Sequence, residues 1–175
     1  ATVAAHQREK NAEQVYNRMR ARMMNGYWVF QAPCGYKFER VAGRGKILMR
    51  DEPVASIVQD ALENFASGRF ESPVEIKRFL ELQPIFPKNI EGEIHLQRVI
   101  DLLNRQLYTG YMEYANWGIQ LMRGHHEPII SMETYKQIQL RLKGKVTGLI
   151  RSDINQDFPL RGFILCDCCK RQLTA

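Results

Sequence analysis

Three groups of residues have the types and spacing that chemistry uses. Cys166 and Cys169 show the C-x-x-C spacing of one knuckle of a zinc ribbon, whose thiolates hold a tetrahedral metal. Four ligands are needed, and the sequence ends six residues later without a second pair. The two cysteines therefore make an incomplete site in which no zinc is expected, and buried thiols without metal are the alternative. The second group is cationic: Arg18, Arg20 and Arg22 recur at every second position, with Lys37, Arg44 and Lys46 further on. Guanidinium and ammonium groups of this density suit phosphate oxygens. The third group is Gln97, Arg98, Asn104 and Arg105, side-chain types that pair with base edges and phosphates.

Other candidates carry less. Gly43-Arg44-Gly45-Lys46 is too short for a phosphate loop and reads as a hairpin tip. His125 and His126 are adjacent and cannot face one site from a regular strand, so both are expected in a surface loop. Asp51-Glu52 reads as a helix start rather than a metal site. No nucleophile-elbow pattern is present, and nothing assembles an active site.

Charge is uneven. The first fifty residues hold ten Lys/Arg against three Asp/Glu, while the remainder holds fifteen against sixteen. The positive field thus sits in the first third, which favours a polyanionic partner by steering and counterion release. A solvated basic helix accounts for the charge equally well. No apolar run approaches the roughly 18 residues that span a bilayer, and the opening ATVAAHQREK has no signal-peptide core. The absence of an initial methionine fits a piece of a longer or processed chain. Clustered cysteines near one end suit a reducing compartment.

These groups need elements to hold them. Ala12, Val15, Met19 and Met23 give a thin apolar stripe, which predicts a helix over about 4–24 that lies across a surface and stops at Asn25-Gly26. Residues 27–50 alternate aromatic or branched with polar types and read as extended. Ile57, Val58, Ala61, Leu62 and Phe65 predict a core helix capped by Asp51 and ended by Gly68. Ser72-Pro73-Val74-Glu75 reads as a capping box opening a third helix. A fourth is expected over 93–107 with Leu96, Val99, Ile100, Leu103 and Leu107 buried. Strands follow at 108–114 and 118–122, a helix capped by Ser131 carries Tyr135, Ile138 and Leu142, and a last strand covers 158–165. The third and fourth helices fit a helix-turn-helix-like reader, although a connection of about ten residues is long for that motif, and a plain helical hairpin is the alternative.

In this order the residues resemble a known family. Trp28, then Ala32-Pro33-Cys34-Gly35-Tyr36, the hairpin, Asp51-Glu52, Leu102 to Gly110 (LLNRQLYTG), His126 to Ile130 (HEPII) and the C-x-x-C together resemble the recombinase domain and the start of the zinc-ribbon domain of large serine recombinases. The resemblance implies an α+β, mainly helical fold: a helix-turn-helix-like core with small β-hairpins and a long N-terminal helix. It implies a basic linker helix over 1–26, a DNA-binding domain over 27–145, and a linker with the truncated beginning of a zinc ribbon over 146–175. The family's catalytic domain and nucleophilic serine would precede Ala1, so no serine here inherits that role and this stretch is not expected to be catalytic by itself. Cys34 departs from the bulkier residue or proline often found there.

The function so implied is sequence-specific binding of an attachment half-site in double-stranded DNA, within a recombinase that integrates or excises mobile DNA. Phosphate contacts would come mainly from the first fifty residues, through Arg18, Arg20, Arg22, Lys37, Arg44 and Lys46, with the hairpin around Arg44 and Lys46 also a candidate for base contacts. Gln97, Arg98, Asn104 and Arg105 would meet bases, while Trp28, Tyr36 and Phe38 would fix the angle of the basic helix. No cofactor is expected in this fragment, with zinc belonging to the full-length protein. Self-association would run through the absent catalytic domain. The location implied is the cytoplasm of a bacterium or phage host. A protein-interaction module whose basic helix meets an acidic partner is the rival reading.

Overall fold

The structure, a computed structural model, describes residues 2–144. The expected polar linker beyond Gly144, the strand from Phe158, and Cys166 and Cys169 lie outside the described residues. The described chain runs α1 (Thr2–Met24), β1 (Tyr36–Val41), β2 (Gly45–Arg50), α2 (Val54–Ser67), α3 (Pro73–Leu82), α4 (Leu96–Asn104), β3 (Tyr111–Tyr114), β4 (Ile119–Arg123) and α5 (Met132–Gly144). The α+β class expected from the resemblance is the class observed. β1 pairs with β2 and β3 with β4, each as a separate antiparallel hairpin.

α2 is the pillar of the core. Ala55, Val58, Ala61, Leu62 and Phe65 fall on one face and are all buried, as their 3–4 spacing requires. The helix stops where Gly68 adopts a left-handed conformation and returns its N–H to the Phe65 carbonyl. Its start differs from expectation. Asp51 makes no cap; the Glu52 carboxylate accepts from both the N–H and the hydroxyl of Ser56, which lowers its pKa. Asp51 instead lies 3.7 Å from Lys37.

α3 begins at Pro73, and the Glu75 carboxylate reaches back to the Glu71 N–H, one residue before the Ser72 expected of a capping box. α4 is shorter than its hydrophobic pattern implies. Val99, Leu102 and Leu103 are buried, whereas Leu96 is 40% exposed and Ile100 only half-buried. Two tertiary contacts set its limits. Ile94, buried before the helix, gives its N–H to the Glu81 carboxylate, and beyond Arg105 the chain tightens into a 3-10 turn over Gln106–Thr109 ended by Gly110. Tyr108 therefore sits in that turn and not in a strand. Ser131 caps α5 as expected, its hydroxyl accepting from the Thr134 N–H at 3.0 Å.

Three of the segments that carry the family resemblance, around Cys34–Tyr36, Leu107–Tyr108 and His126–Ile130, meet in one place. The Tyr108 hydroxyl donates to the Cys34 carbonyl (2.8 Å), the Tyr36 hydroxyl to the Glu127 carbonyl (2.6 Å), and His126 Nε2 bonds the Leu107 carbonyl (2.7 Å). Backbone N–H groups of Ile129 and Ile130 both reach the Tyr108 carbonyl. The Tyr36 and Tyr108 rings stack, with His126 edge-on to Tyr36. Burial pushes both phenols well above the ordinary tyrosine range, so they remain donors. His126 is buried, contrary to the surface loop expected of it, while His125 stays exposed against Tyr27.

Candidate nucleic-acid interface

α1 is mostly unattached. Every residue from Ala4 to Arg18 is exposed, and only its last turns are held. Met23 is fully buried, and the edge of Tyr16 meets Trp117, which belongs to an aromatic group with Phe30 and Tyr114. After Met24 the chain turns through Gly26, whose φ of +82° is left-handed and whose carbonyl accepts from the His125 N–H. A helix this polar has little packing of its own, and such helices bridge domains through solvent or rely on side-chain pairs one turn apart.

The cations divide into three sorts. Arg18 and Arg20 on α1, and Arg40, Arg44 and Lys46 on the first hairpin, are exposed, and none of their side chains has an ion pair or hydrogen bond among the described residues. Arg105 is likewise exposed, and its side chain is unpaired among the described residues. Lys37 is different: Glu39 at 3.2 Å and Asp51 at 3.7 Å surround it and raise its pKa, so its charge is already answered locally. Arg22 and Arg98 are turned onto the protein. The Arg22 guanidinium donates to the carbonyls of Arg44 and Lys46 and lies over the Tyr27 ring at 4.9 Å. Arg98 donates to the Pro87 carbonyl (2.8 Å) and covers the Phe86 ring, fastening the α3–α4 connection.

The hairpin register sharpens this. Arg40 and Lys46 are cross-strand partners. Like charges directly opposite each other destabilise a two-stranded ladder unless an anion answers them. Arg40 was not among the residues picked from sequence; its signal was the register that a three-residue tip imposes, which pairs it with Lys46.

On α4 the polar face is present but partly committed. The Gln97 amide donates to the Asp101 carboxylate (2.9 Å), and the Asn104 amide donates to the Ile100 carbonyl one turn back (2.9 Å). Among the described residues, each amide oxygen stays free to accept. Cys34 lies beside Arg98 in a pocket of about 290 Å³ that Asp101, Arg105 and Tyr108 also line. Burial raises its pKa and keeps the thiol protonated, which does not suit a nucleophile. Among the described residues no group of three or more His, Cys, Asp or Glu could hold a metal, and no helix is long and apolar enough to cross a membrane.

The family model described as Recombinase matches residues 52–145, just over half of the chain. The chain belongs to the Recombinase family. The match runs from the start of α2 through α5 and includes two of the three segments of the buried tyrosine knot. Two solved structures are similar. One, described as "Crystal Structure of a LSR-DNA Complex", is 21% identical with a TM-score of 0.56, over 74% of this chain and 39% of that one. The other, described as "Sequence Requirements of the Listeria innocua prophage attP site", is 21% identical with a TM-score of 0.60, over 91% of this chain and 63% of that one. At that identity the likeness establishes the fold. The chain spans less than two thirds of either structure's chain. No curated protein matches it.

Proposed function

We propose that this recombinase chain grips double-stranded DNA at an attachment half-site, as the DNA-binding part of a serine recombinase that integrates or excises mobile DNA. The observation that carries the reading is the set of unanswered cations on α1 and the first hairpin. Arg18, Arg20, Arg40, Arg44 and Lys46 have no carboxylate partner among the described residues, and two of them oppose each other across a ladder. A phosphate backbone answers every one of these charges, including the like-charged pair that otherwise weakens the ladder. The similarity to chains described as an LSR–DNA complex and as a study of a prophage attP site supports the same partner.

In this reading α1 and the tip of the first hairpin meet phosphates. Base contacts come from the free acceptors of Gln97 and Asn104 and from Arg105, with Arg98 holding the helix that presents them. Zinc, if the full-length protein uses it, belongs to Cys166 and Cys169 together with ligands beyond this sequence. Assembly into a recombining complex would depend on a catalytic domain elsewhere in the parent protein.

The test is a salt titration of binding to duplex, first random and then enriched from a random pool. The expected result is a log K that falls linearly with log salt, with a slope of roughly −0.9 for each phosphate neutralised, and an enriched sequence that binds more tightly than random duplex at one salt concentration. Affinity indifferent to salt, or no binding to duplex in moderate salt, would sink the reading and favour an acidic protein partner.

A further inference from the structure

We propose that Arg22 is a positioning residue: its guanidinium latches the end of α1 onto the tip of the first hairpin, so that the cations of both elements address one duplex as a unit. The proposal rests on the DNA-binding reading above. Arg22 belongs by sequence to the same run as Arg18 and Arg20, yet its geometry is unlike theirs. It donates to two carbonyls of the hairpin tip, those of Arg44 and Lys46, and its planar group lies over Tyr27. Tyr27 in turn gives its N–H to the Arg22 carbonyl, closing the end of the helix on itself. The residues whose carbonyls Arg22 holds are the ones whose side chains stand free in solvent.

The hairpin is shaped to receive this group. Gly43 and Gly45 share the same left-handed φ of +75°. A Cβ on Gly43 would meet open space, but one on Gly45 would stand 2.9 Å from Arg22 Nη1. Glycine at 45 therefore serves two needs, the turn and the latch, while glycine at 43 serves the turn alone. Because the atom that a Cβ would strike is the far end of a flexible side chain, substitution at 45 displaces Arg22 instead of breaking the fold. Lysine cannot replace arginine here: an ammonium keeps the charge but lacks the planar fork that stacks on the ring while donating to the hairpin.

Duplex binding by the wild-type chain and by R22A, R22K, G45A and G43A tests the proposal, with helix content and melting checked for each. The expected result is that R22A, R22K and G45A each weaken binding about tenfold or more, the scale of losing a charge-assisted hydrogen bond. G43A, with the same backbone strain, binds close to wild type. If R22K binds like wild type and G45A like G43A, Arg22 is a direct phosphate contact and the latch is wrong while the DNA-binding reading stands. If the wild-type chain fails to bind duplex, both are wrong. R22K guards against R22A failing to fold.

Discussion

The buried tyrosine knot and the cationic ledge make a useful pair. In the knot, Tyr36, Tyr108 and His126 come from three distant segments and are almost wholly excluded from solvent, and each is bonded to a backbone carbonyl of another segment. The ledge, made of α1 and the tip of β1–β2, has exposed side chains and few fixed contacts. The knot carries recognisable motifs and is buried. The ledge holds exposed cations that a polyanionic partner would touch. Residues that must fit one another accept few alternatives. A phosphate accepts any cation that reaches it.

The comparison breaks most severely if the knot is not what holds the fold. Tyr108→Ala removes a fully buried ring and the hydroxyl bonded to the Cys34 carbonyl. It should destabilise the protein by about 3–5 kcal/mol, as large buried aromatics do on truncation. Denaturant unfolding measures this. A loss under about 1 kcal/mol would mean that the three segments are held elsewhere.

The opposite behaviour is expected on the ledge. R18A together with R20A should leave the melting temperature unchanged and weaken duplex binding by roughly fifty- to a hundredfold at about 0.1 M salt, flattening the log–log slope by about two units. Arg98→Ala should do the reverse, because its bond to Pro87 and its cover over Phe86 are internal. It should lower stability by about 1–2 kcal/mol and leave the salt slope alone. A flattened slope for Arg98→Ala would move that residue back among the DNA contacts, where its type and position had suggested it belonged.

This contrast also marks what could be read in the chain beforehand. α2, its stop at Gly68, the Ser131 cap and the first hairpin were legible, because each depends on residues within a turn or two of one another. The limits of α4 were not, since Glu81 takes the Ile94 N–H from thirteen residues away and the chain after Arg105 is drawn into a turn by the knot. Asp51 does not cap α2, because Lys37 lies beside it and Glu52 engages Ser56 instead. On the ledge the cations were visible, but their sorting was not. Arg18, Arg22 and Arg98 look alike as letters, and only the neighbouring carbonyls and rings separate the free ones from the fastened ones. Arg40 escaped notice because its meaning lies in its partner across the ladder.

The mildest test uses the knot's one group that titrates near neutrality. His126 bonds the Leu107 carbonyl through Nε2, and its Nδ1 has no partner among the described residues. Beside it among the described residues stand the Tyr36 ring, the Gly124 backbone and neighbouring His125, and none of these offers a compensating negative charge. Burial, the largest cause, holds its pKa below the usual 6.5, and the Leu107 bond opposes this only in part. An unfolded chain therefore takes up a proton that the folded chain refuses. Stability should be full above about pH 6.5, decline as pH falls through that value, and level off below the folded pKa, by at most about 1.4 kcal/mol per pH unit. His126→Gln keeps an N–H for the Leu107 carbonyl and removes the titration. Its unfolding free energy should therefore vary less between about pH 7.5 and 5.5 than that of the wild type. Equal pH dependence in the two proteins would show that His126 accepts its proton in the folded state, and that the knot is wetter than its burial indicates.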